Sequence, residues 1–113
     1  MGYMRHHAIL VTGFGEQVVV AHGVAQALFE NTRAPVSPLT DECVNGYRSF
    51  VVHPDGSKEG WEESDAGDKA RNQFIDWLRV ANWCSWAEVQ YGDGEHENLV
   101  ARHDYDAERE DED

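Results

Sequence analysis

The chain has 113 residues, 41% of them apolar and twelve of them aromatic, enough for one domain of ordinary size with a real core. Nine basic residues face 22 acids, for a net charge of −13, and a field of that sign repels phosphates and anionic lipid, so direct binding to nucleic acid or to a membrane is not expected. No apolar run approaches the roughly 18 residues of a membrane span, and the N-terminus lacks the apolar core of a signal peptide.

The run from His6 to Thr12, HHAILVT, reads as a buried strand. Gly13-Phe14-Gly15 breaks it. A helix is expected from Glu16 to Asn31, with Val18, Ala21, Val24, Ala25, Leu28 and Phe29 on one face. Three consecutive valines, Val18 to Val20, weaken its first turn. Thr32 to Asp41 holds two prolines and no period, and reads as a loop that returns the chain across the domain. Gly46 to His53 reads as a strand, His53 to Ser57 as a turn, and Lys58 to Trp61 as a short partner strand.

Ser64 to Ala81 carries the clearest pattern in the chain. Ala66, Ala70, Phe74, Trp77, Leu78 and Ala81 form one stripe about 120° wide. Ser64 or Asp65 is the expected cap, and acids fall where the helix dipole is positive. Trp86 to Tyr91 alternates Ala87, Val89 and Tyr91 with Trp86, Glu88 and Gln90, so it is a strand. A turn over Gly92 to Glu97 returns it into a last strand, Asn98 to His103.

The order β-α-β-β-α-β-β predicts an α+β fold, with two helices covering one face of a mainly antiparallel sheet. That is a ferredoxin-like split βαβ arrangement with an extra C-terminal strand. Residues 1–103 are expected to form the domain. Residues 104–113 hold seven acids and one arginine, and are expected to form a solvated, disordered tail.

The charge is unevenly placed. Residues 1–54 carry three basic and four acidic groups, net −1, and residues 55–113 carry six against eighteen, net −12. A basic protein partner is the expectation that follows. The candidate recognition group lies around the central turn. Tyr47 and Arg48 lead into it; Trp61, Glu62, Glu63 and Asp65 leave it. Tryptophan and arginine anchor interfaces far more often than they decorate solvent, although Trp61 also suits a position at the core edge beneath the second helix.

Other chemistry is weaker. Gly13-Phe14-Gly15 looks like the start of a dinucleotide fingerprint, but Val18 stands where the third glycine belongs. Six histidines show no HExxH spacing, and Cys43 and Cys84 form no CxxC, so no metal or cofactor is expected and both thiols are expected to be reduced. No catalytic residue is assigned. The rival reading is a small-molecule or nucleotide binder, or a small enzyme, using the Gly13–Gly15 turn, His6 and His7, and the Tyr47, Arg48 and Trp61 group. A homodimer through an exposed sheet face or a strand edge is a further expectation.

The runs HHAILVTGF, VNGYRSFVVHPDGSKEGW and ESDAGD resemble small uncharacterised proteins encoded by bacteriophages and prophages. The resemblance implies a non-enzymatic accessory or counter-defence role in the host cytoplasm, in which an acidic chain stands in for nucleic acid on a basic protein. It transfers no functional residue.

Overall fold

The computed structural model describes residues 5–56, 61–92 and 97–104, with the side chain of Glu63 left out. Within them run β1 (His6–Phe14), α1 (Gly15–Phe29), β2 (Tyr47–Val52), α2 (Glu62–Ala81), β3 (Ser85–Tyr91) and β4 (Leu99–His103). The four strands form one sheet in the order β2-β1-β3-β4, antiparallel at every pairing. Both helices lie on one face, so the α+β architecture is as the sequence predicts. The split βαβ layout holds in outline. Of the expected strand from Lys58 to Trp61, residues 58–60 lie outside the described residues, and Trp61 stands at the start of α2. The expected acidic tail lies outside them from residue 105 onward.

β1 runs two residues past its expected end because Phe14 still pairs with Tyr47. Gly15, at φ +60°, then turns strand directly into helix with no loop. Gly13 has a different reason. A Cβ there would meet Cys84 Sγ at 2.8 Å and Val18 Cβ at 2.9 Å, so its bareness lets α1 and the start of β3 close on β1. The three valines do enter α1: Val18 is buried while Val19 and Val20 stay exposed, and packing of one face outweighs their modest propensity cost.

The proline-bearing loop does more than return the chain. Ser37, Thr40 and Cys43 donate backbone N–H bonds to Val51, Ser49 and Tyr47, and His53 donates to Pro35. The Ser37 and Thr40 hydroxyls accept from the Val51 and Ser49 amides. The outer edge of β2 is therefore covered along its length, which blocks strand addition there. His22 Nε2 donates to the Ser37 carbonyl at 2.8 Å and pins the loop to α1.

α2 starts two residues before the expected cap. Ser64 is buried inside the helix rather than capping it, and Trp61, at the N-cap position, makes no side-chain capping bond. Asn82, in the left-handed conformation, ends the helix with its N–H on the Leu78 carbonyl. Ala70, Phe74 and Leu78 are buried as expected, but the stripe is rotated toward Arg71 and Ile75, which leaves Ala66 exposed and Trp77 at the border. Phe74 is the hub. Its ring lies 6.1 Å from Phe29 of α1, 6.3 Å from Phe50 of β2 and 6.4 Å from Trp77. Gly67 in the same helix would place a Cβ 2.6 Å from Asp55 Oδ2, so the glycine admits that carboxylate beside Arg71.

The register fixes which side chains share a face. Ile9 with Val52 and Glu88, and Val11 with Phe50 and Trp86, point toward the helices. Leu10 with Val51 and Ala87, Ala8 with Val89, and Thr12 with Ser49 and Ser85 point away. No described helix covers that second face.

Candidate functional site

The candidate recognition residues divide into two places. Trp61, Glu62 and Asp65 gather at the first turn of α2, all exposed. Their acids sit at the positive end of the helix dipole, where each carboxylate stabilises by about 0.3–1 kcal/mol. Beside them Asn31, Thr32 and Arg33, just past α1, line with Glu62 and Ala66 a cavity of about 290 Å³. Tyr47 and Arg48 open β2 at its other end, about 17 Å of strand away. They also point to opposite faces: Tyr47 lies outward against Phe14, ring centroids 5.8 Å apart, and Arg48 points to the helix side opposite Gly13. One corner therefore unites Trp61, Glu62 and Asp65, and Tyr47 and Arg48 stand outside it. Glu63 belongs to the corner by its backbone position.

The residues of the rival reading do not converge either. His6 and His7 open β1, while the Gly13–Gly15 turn lies at its far end, and Gly13 is filled by Cys84 and Val18 rather than open to a phosphate. His6 packs on Tyr91, with centroids 5.3 Å apart. Among the described residues no three His, Cys, Asp or Glu side chains are grouped to hold a metal ion. No described helix is long and apolar enough to cross a membrane.

Three charged side chains escaped the sequence reading. Glu88 is 2% exposed, facing the helices, and Arg102 of β4 meets it in a fork: Nε to Oε1 at 2.7 Å and Nη2 to Oε2 at 3.0 Å. Arg102 Nη1 also donates to Asn72 of α2 at 2.9 Å. The Glu88 hydrogen bond is the main cause that raises the Arg102 pKa above its ordinary value, against the opposing effect of burial. Arg5, 8% exposed, donates to the carbonyls of Gly92 and Glu97 and ties together the two sides of the β3–β4 connection. Sequence offered one signal for Glu88, its position in an alternating strand, but not which alternate set faces inward.

The two thiols differ sharply. Cys43 is exposed; Cys84 is 7% exposed, and burial pushes its pKa up, so it holds little thiolate. A maleimide at neutral pH should label Cys43 alone in the folded chain and Cys84 only after denaturation. Equal labelling rates, mapped by mass spectrometry, would contradict the packing of Cys84 against Gly13.

The outward sheet face carries a recess lined by Leu10, Thr12, Ser85, Trp86, Ala87 and Asp104. Its strand positions carry no aspartate, glutamate, lysine or arginine, whereas Arg48, Glu88 and Arg102 all point inward. Comparison with known proteins adds nothing to this geometry: no protein-family model matches the chain, and no curated protein and no solved structure matches it.

Proposed function

We propose that the chain is a small, acidic, non-enzymatic binding protein that engages a basic protein surface through the first turn of α2. The observation that carries this reading is Trp61, 49% exposed at the head of α2 among the exposed carboxylates of Glu62 and Asp65. An aromatic anchor ringed by one sign of charge suits a partner of the opposite sign: the indole supplies buried area and the acids steer the encounter. The neighbouring cavity beside Asn31 and Arg33 offers a recess for one partner side chain. Residues 104–113 hold seven further acids. In its narrower form the partner is a protein that normally holds nucleic acid, met in the host cytoplasm as an accessory or counter-defence target.

Affinity capture from a lysate at low salt tests the proposal, with the wild type beside a Trp61→Ala/Glu62→Ala/Asp65→Ala variant. Basic proteins captured by the wild type should be lost in the variant, and lost from both at about 0.5 M salt, where exposed charges are screened within a few ångströms. Partners that persist unchanged through both treatments would sink the electrostatic reading.

A further inference from the structure

We propose that Asn45 is a self-modification site: when its turn opens, the Asn45-Gly46 pair cyclises, loses ammonia and reopens as isoaspartate or aspartate. Of the chain's asparagines, Asn45 is the one followed by glycine. It is exposed, in the turn that leads into β2. Asn45 at φ +64° and Gly46 at φ +77° both take the left-handed conformation, the arrangement an Asn-Gly turn favours. Three backbone bonds close the turn. Tyr47 N–H donates to the Val44 carbonyl, Gly46 N–H donates to the Cys43 carbonyl at 3.1 Å, and Cys43 N–H donates to the Tyr47 carbonyl at 2.8 Å.

The Gly46 nitrogen gives up its proton and attacks Asn45 Cγ. A bond forms between them, the bond from Cγ to Nδ2 breaks, and the amide leaves as ammonia with that proton. A cyclic imide remains. Water then adds its hydroxyl to one of the two imide carbonyls and its other proton to the nitrogen. Opening at Cγ gives aspartate. Opening at the main-chain carbonyl gives isoaspartate, in which the backbone runs through Cβ and is one atom longer. Glycine permits the attack because no side chain shields its nitrogen, whereas the other asparagines precede Thr32, Gln73, Trp83 and Leu99.

The fold sets the rate. The proton that must leave is the one Gly46 donates to Cys43, so the reaction runs through openings of the turn. Little packing resists them, since Cys43, Val44 and Asn45 are all exposed. Asp55-Gly56 is capable of the same ring closure with loss of water, but Asp55 Oδ2 is buried beside Gly67 and Arg71. Asp93-Gly94 lies outside the described residues. Either product at residue 45 adds a carboxylate, and the longer backbone of isoaspartate displaces the bonds that open β2 and begin the cover of its outer edge.

Ageing the full chain at mildly alkaline pH in water enriched in heavy oxygen tests this, with peptide mass mapping at intervals. The Asn45 peptide should take up one heavy oxygen before those of the equally exposed Asn72 and Asn98, and chromatography should resolve an isoaspartyl and an aspartyl form. In urea, with the three turn bonds gone, uptake at Asn45 should be about tenfold faster or more. An Asn45 peptide that stays unlabelled, or gains label no faster than Asn72 and Asn98, would overturn the proposal. So would an aspartyl product alone, which marks direct hydrolysis by water, or a rate in urea equal to that of the folded chain.

Discussion

Arg102→Ala is expected to destabilise the fold by about 3–5 kcal/mol, out of all proportion to a residue near the end of an edge strand. The loss is not the attraction of the pair in water but the charge left behind. Glu88 is 2% exposed and takes both oxygens' hydrogen bonds from the Arg102 guanidinium. Without it, a carboxylate is left charged and unpaired in an apolar layer. Replacing both partners, Glu88→Leu with Arg102→Met, should restore most of the stability or exceed the wild type, because neither charge remains to be desolvated. Urea titrations of the single and double variants form the cycle. A single variant within about 0.5 kcal/mol of wild type would mean that water reaches Glu88.

Phe74→Ala should cost a comparable 3–5 kcal/mol. The ring is fully buried and is the point where α1, α2 and β2 meet through Phe29, Trp77 and Phe50. Removing it opens a void that three elements would have to move together to fill. Set against a typical stability of about 5–15 kcal/mol, that loss leaves the fold marginal at best. Phe74→Leu keeps most of the volume and should cost about 1 kcal/mol. Thermal melts of the two variants separate them; equal melting temperatures would show that the ring is not the junction described.

The order of elements was readable because the helices carry long periodic patterns. Phe74 and Leu78 placed α2 on the sheet, and Val18, Ala21, Ala25 and Phe29 did the same for α1. Detail failed where a pattern was even-handed. In Trp86 to Tyr91 both alternate sets hold apolar residues, and the set that includes a glutamate proved to be the inward one. Composition cannot reveal that inversion, because the ion pair that permits it joins residues 14 apart on two strands and is reinforced from a helix. The Thr32–Asp41 loop was read as a loop, but its pairing along β2 was missed for a related reason: its hydrogen bonds come from isolated amides and hydroxyls with no side-chain period. Tyr47, Arg48 and Trp61 looked like one group because they are close in sequence, yet the length of β2 separates them. The corner of Trp61, Glu62 and Asp65 was legible because one helical turn holds it together.

Calorimetric titration of a captured basic protein with the purified chain tests the proposed role of the α2 corner most directly. Trp61→Ala, at a half-exposed site, is expected to weaken binding by about tenfold or more, while Leu10→Ala, on the outward sheet face, is expected to leave it unchanged. Equal affinities for the wild type and Trp61→Ala would contradict the proposal.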